Sequence, residues 1–205
     1  MNQVDRGAIA DRALELFVTQ GYQPTTLADI ASACDLSPEV VAAAFPTKES
    51  FVIGVVDDMF AAVFRELANA PAEDLIGALR DAHQSAVERI IAGQGPMPLL
   101  RMHRMGRVIA SNPAVAQAVS VHRKQMLARG LATHRGVGVD DPQIKKAVTV
   151  WSAIMASTHA AAAHDRDEPD PFATDLTIQR LNLTFHLIRG SAAESPPPGS
   201  TPGKE

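Results

Sequence analysis

The chain has 205 residues, 46% of them apolar and only 4% aromatic, with a net charge of −4 and a single cysteine. That length holds a small head and a larger body, each with a core, while the charge excludes a global attraction to nucleic acid and the lone cysteine excludes an internal disulfide framework. Met1–Arg6 lacks the basic-then-apolar pattern of a signal peptide, and no apolar run approaches membrane-spanning length, so a soluble cytoplasmic protein without membrane contact is expected.

Abundant alanine and few aromatics favour closely packed helices, hence an all-α fold. The first run puts Ile9, Ala13, Leu14, Leu16 and Phe17 on one broad helical face, and Gly21 stops it. Thr25 or Thr26 caps a short second helix, with Asp29 completing a capping box. Cys34-Asp35-Leu36 is the turn, and Asp35 stands where a left-handed residue is wanted. Ser37-Pro38-Glu39 opens a third helix with a cap, a first-turn proline and an acid near the positive helix end. Two short helices around a tight turn, behind a bracing helix, describe a helix-turn-helix.

Thr47 caps a fourth helix running to about Asn69, whose apolar band (Phe51, Val52, Val55, Val56, Met59 and onward) makes it a stiff connector from head to body. A fifth helix spans Glu73 to about Ile91, and the Gly93–Pro98 break follows it. Leu99–Ala110 forms a sixth, Pro113 to about His134 a seventh, and Asp141-Pro142 opens an eighth that reaches about Ala163. An acidic loop, Asp165–Asp170, leads to a ninth helix over Phe172–Arg189, and residues 191–205 read as a disordered tail.

Residues Ile9 to Phe51 resemble the DNA-binding head of the tetracycline-repressor (TetR) family of bacterial regulators, through Ala13, Leu16-Phe17, Gly21-Tyr22, Thr25-Thr26, Ile30-Ala31, Ser37, Phe45 and Lys48. The resemblance implies a helix-turn-helix domain over 1–50 that binds double-stranded DNA, and a helical ligand-binding and dimerisation domain over 51–190. It also implies repression as a homodimer on a palindromic operator, the dimer forming through helices near 141–163 and 172–189, where Ala156, Ala160 and Ala163 allow close approach. The recognition helix departs from the pattern: Val40, Val41, Ala42 and Ala44 replace the usual threonine-leucine-tyrosine run and the histidine or tyrosine that follows.

In the head only Arg6, Arg12 and Lys48 oppose Asp5, Asp11, Glu15, Asp29, Asp35, Glu39 and Glu49. Phosphate contact is then expected from the hydroxyls of Thr25, Thr26, Ser37 and Thr47 and the charge of Lys48, and base contact from Pro38, Glu39, Val40 and Ala43. Weak, strongly salt-sensitive or effector-tuned binding is the expected result; a degenerate regulator acting through protein contacts is the alternative. The body reverses the charge pattern between Arg80 and Arg135. Arg101 and Arg104 share a helical face suited to an anion, and Met105, Met126, Trp151 and Met155 supply apolar pocket wall. An effector such as an acyl thioester, or another amphipathic anion, fits both features. No enzyme, cofactor or metal is expected: Cys34 has no adjacent histidine, His159 and His164 are wrongly spaced for a helix-face metal pair, and no phosphate-cradling glycine loop occurs.

Overall fold

The computed structural model describes residues 5–68, 70, 73–164 and 174–193. Among these residues there are nine helices and no strand: α1 (Arg6–Thr19), α2 (Leu27–Ala33), α3 (Pro38–Ala44), α4 (Lys48–Leu67), α5 (Leu75–Ile91), α6 (Leu99–Ser111), α7 (Pro113–Arg135), α8 (Pro142–His164) and α9 (Thr174–Ala193). The fold is all-α, as the composition predicts.

The helix starts follow the caps written in the sequence. Thr26 Oγ1 accepts the Asp29 N–H at 3.1 Å, and the Asp29 carboxylate accepts the Thr26 N–H at 2.8 Å, so two orphan donors are satisfied reciprocally. Ser37 caps α3 with Pro38 in its first turn, and Thr47 and Ser50 repeat the reciprocal arrangement at α4. Asp35 takes φ 54°, in the left-handed region, between α2 and α3. Gly136 ends α7 in the same region, at φ 67° and ψ 33°.

The head closes around four rings. Phe45 and Phe51 stack at 4.3 Å, Phe17 meets Phe51 edge-on at 6.1 Å, and Tyr22 tilts against Phe17 at 4.8 Å. Phe51 belongs to α4, so the connector begins inside the head core. It then runs into the body, where Val55, Val56, Met59, Phe60, Val63 and Leu67 are buried. Helix α7 crosses α4 at Gly130, where an added Cβ would lie 2.3 Å from the Phe64 ring; only glycine permits that approach. Trp151, Ile154, Leu181 and Phe185 bring α8 and α9 into the same core.

Helix α9 continues through Ala193, past its expected end at Arg189 and into the expected tail. Ser191-Ala192-Ala193 holds no helix breaker, and the first proline comes at Pro196. The acidic loop Asp165–Asp170 and the tail beyond Ala193 lie outside the described residues.

Candidate DNA-reading head and effector chamber

Helix α3 presents an outward edge. Pro38, Glu39 and Ala43 are exposed, Val40 is half-buried, and Val41 alone on this helix is fully inside. The base-contact candidates therefore share one accessible rim. Thr26, Ser37 and Thr47 are exposed at three helix starts, each bonding its own helix. Hydrogen bonds from its own backbone and from Ser37 hold the Glu39 carboxyl below its ordinary pKa, so the rim carries a negative charge.

Two of the expected phosphate contacts are turned inward. Thr25 is 1% exposed, and its hydroxyl donates to the Gly21 carbonyl at 2.7 Å. Lys48 Nζ donates to the carbonyls of Tyr22, Gln23 and Thr25 at 2.7, 3.1 and 3.0 Å, with the Tyr22 ring 4.6 Å away. Its three N–H groups are spent on the loop before α2. The physical reason is that bent loops and helix ends leave carbonyls bare, and a cation within reach caps them. The other head bases behave alike. Arg6 donates to the Ala44 carbonyl at the end of α3 and stacks over Phe45, and Arg12 donates to the Ala33 carbonyl at the end of α2 and pairs with Glu15.

Head and body meet through α6. Arg101 Nε and Nη2 reach the two Asp11 carboxylate oxygens at 2.6 and 2.7 Å, a bidentate fork. Arg104 Nη1 lies 3.4 Å from the Asp11 carbonyl and 3.8 Å from Glu15. Gly7 makes room, because a Cβ there would come within 3.0 Å of the Arg101 guanidinium. The Asp11 hydrogen bond, and the charges of Asp11, Asp58 and Asp5, raise the Arg101 pKa against its burial. Arg101 and Arg104 do share a helical face, but that face rests on α1. They clamp the head, and Arg101 also lines the cleft beside it. The wide recess of about 760 Å³ beside this clamp is an open cleft bordered by Asp5, Asp57 and Asp58.

The opposite side of α6 walls a second, narrower chamber. Met102, Met105 and Gly106 from α6 join Met59 and Phe60 of α4, His83 of α5, Arg123 of α7, and Met155, Thr158 and His159 of α8. The chamber volume is about 80 Å³, well under the roughly 300–1,000 Å³ of ordinary ligand pockets. Of the expected effector residues, Met105 and Met155 face it. Trp151 stands one layer behind, edge-on to His83 at 5.7 Å. Met126 lies elsewhere, in a groove with Phe64 and Gly130, because the α7 turn that carries it faces the far end of α4.

Residues 9–55 match the family model described as bacterial regulatory proteins, tetR family. A transcriptional regulator of the helix-turn-helix type from Streptomyces glaucescens, TcmR, is 30% identical over 142 residues, an alignment spanning 66% of this chain and 62% of that protein. Residues 9–55 are thus a tetR-family head. The fold agrees. Thermus thermophilus FadR, a TetR-family transcriptional repressor solved with lauroyl-CoA, overlays with a TM-score of 0.52 at 20% identity, covering 98% of this chain and 100% of its own. A protein assigned to the tetR-family transcription regulators from Shewanella sp. PV-4 overlays at 0.53 and 20% identity, covering 92% and 98%.

Sequence reading has Arg123 and His83 only as members of the basic, histidine-bearing run, and does not single them out as polar residues inside the chamber. Val115, Val119, Leu127 and Leu131 of α7 are all buried at a four-residue spacing, and Arg123 occupies the middle position of that stripe. His83 sits likewise among Leu79, Ala82, Ala86 and Val87 on α5. A cation and an imidazole interrupting apolar stripes were the available signal, and the overall basic run from Arg80 to Arg135 concealed it.

Proposed function

We propose that this protein is a DNA-binding transcriptional regulator, acting as a repressor in the cytoplasm, whose homodimer reads a palindromic operator and releases it when a small effector enters the chamber. The observation that carries the reading is the double duty of α6. Its Arg101–Arg104 face grips α1 of the reading head, and its Met102–Met105–Gly106 face walls the chamber. At about 80 Å³ the chamber admits little without moving a wall. An effector that displaces α6 therefore acts on the clamp that orients the head, which is a differential contact between two states, as coupling demands.

Dimerisation is supported by the outer surface of the last two helices. Leu183 and Leu187 are each 62% exposed on α9, while Leu181 and Phe185 on its other face are buried. Ala156 and Ala160 are exposed on α8, small enough for a close helix pair. A twofold pair of heads places two α3 rims about 34–36 Å apart, one duplex turn. Among the described residues no helix is long and apolar enough to cross a membrane. The acyl-thioester version of the effector relied on Arg101 and Arg104, which are engaged by the head; an amphipathic small molecule in the chamber is the form retained. Footprinting across the gene's own promoter at low salt tests the reading, and no protection with or without candidate effectors defeats it.

One observation favours a second reading. All three bases of the head bond carbonyls of the head itself, and a degenerate regulator working through protein contacts needs no phosphate grip. Genome-wide crosslinking separates the two: a sharp palindromic site supports the repressor, and uniform background supports the degenerate form.

A further inference from the structure

We propose that the chamber receives the head of a compact apolar monocarboxylate, with the carboxylate seated on Arg123 and His83. The inference rests on the chamber being the effector site and adds the chemistry of what enters it. Arg123 Nε and His83 Nδ1 are both sealed from solvent and have no hydrogen-bond partner, and both belong to the walls of this one cavity. A buried donor without an acceptor is a standing deficit that an incoming oxygen removes; Arg123 Nε is always such a donor, and His83 Nδ1 is one in its Nδ1–H tautomer.

Charge narrows the class. Among the described residues no aspartate or glutamate lines the chamber. Burial lowers the Arg123 pKa, to about 10, so the guanidinium stays charged at neutral pH, and among the described residues no carboxylate offsets that lowering. His83 and His159 are pushed down to about 3 and about 4, by burial first and by Arg123 next, so both are neutral there. His159 places Nδ1 2.6 Å from the Met155 carbonyl, which can only accept, so Nδ1 carries the proton. Arg123 thus brings a fixed positive charge to a wall without acids, and the fork of a guanidinium matches a carboxylate. Apart from His103 and Thr158 the remaining wall is apolar, with Met59, Met102, Met105 and Met155 as thioethers that repack around an entering hydrocarbon. Half-buried Arg123 interrupts a buried apolar stripe and leaves its Nε unpartnered, which costs stability, and recognition of an anion is what that placement serves.

The test uses the full-length protein with three probes of one body: octanoate, 1-octanol and octylammonium. Trp151 is the single tryptophan, 1% exposed and 5.7 Å from His83, so its fluorescence reports on the chamber; calorimetry gives affinity. Octanoate is expected to bind at least tenfold more tightly than octanol, about 1.4 kcal/mol, and octylammonium not at all. Arg123→Gln should lower octanoate affinity at least tenfold while leaving octanol within twofold, with Arg123→Lys intermediate, each variant first checked for an unchanged melt. Equal affinity for octanoate and octanol, indifference to Arg123→Gln, or no octanoate binding at millimolar concentration overturns the proposal. The effector reading fails separately, if octanoate binds in an Arg123-dependent way yet leaves operator affinity unaltered.

Discussion

The clamp between Arg101 and Asp11 makes a quantitative demand on the protein. Two charge-assisted contacts of 2.6 and 2.7 Å join side chains that are 10% and 35% exposed. Hydrogen bonds between charged groups contribute about 1.5–3 kcal/mol net, and partial exposure of Asp11 places the pair toward the lower half of that range. Arg101→Ala should therefore cost about 2 kcal/mol in urea unfolding at fixed protein concentration. Asp11→Ala should cost a similar amount, softened because Asp58 and Asp5 also act on Arg101. In the double variant the losses should fall short of additive by about 1–2 kcal/mol. Arg101→Lys, which keeps charge but loses the fork, should recover only part. Hydrogen exchange adds a spatial check: amides of α1 should lose protection while those buried in α8 keep it. A coupling energy below about 0.5 kcal/mol, or equal loss of protection in α1 and α8, would mean that α6 does not hold the head through this pair.

Other consequences follow from the same geometry. His83 has a folded-state pKa of about 3, below its ordinary 6.5, so the unfolded chain binds the extra proton as pH falls below 6.5 and stability drops. Between pH 7 and 5 this amounts to about 2 kcal/mol, and His159, lowered to about 4, adds a similar amount, so His83→Gln should remove about half of the pH dependence of the urea midpoint over that interval; an unchanged slope argues against a neutral buried imidazole. Because Arg6, Arg12 and Lys48 are already engaged within the head, the salt dependence of operator binding should be shallow, with log K against log salt no steeper than about −4 for a dimer. This reverses the strong salt sensitivity expected from composition, and a slope near −8 would show that those side chains let go of their carbonyls on binding. Leu183→Glu, at a residue 62% exposed on α9, should leave the fold intact by circular dichroism and shift the mass from two chains to one in light scattering. Gly130→Ala, which sets a methyl 2.3 Å from the Phe64 ring, should cost about 1–3 kcal/mol by overpacking; an unaltered melting temperature would place the α4–α7 crossing elsewhere.

The order of the helices, their caps and the reading head were legible in the sequence because each is set by neighbours a few residues apart. Thr26 with Asp29, Ser37 with Pro38, and Thr47 with Ser50 each satisfy backbone N–H groups within one turn, so the local sequence is sufficient. The left-handed Asp35 was legible for the same reason. What a cation pairs with is a long-range matter. Arg101 lies 90 residues from Asp11, and Lys48 more than 20 residues from the carbonyls it caps, so neither partner is visible in the local pattern. Arg101 and Arg104 therefore read as free anion contacts until tertiary packing laid α6 on α1. Packing also decided which side of each stripe faced the centre, and so turned Arg123 and His83, two among many in a basic, histidine-bearing run, into polar lining of a chamber. Short-range hydrogen bonding writes itself into adjacent residues; the pairing of charges depends on which helices come to lie together, and only the folded body settles that.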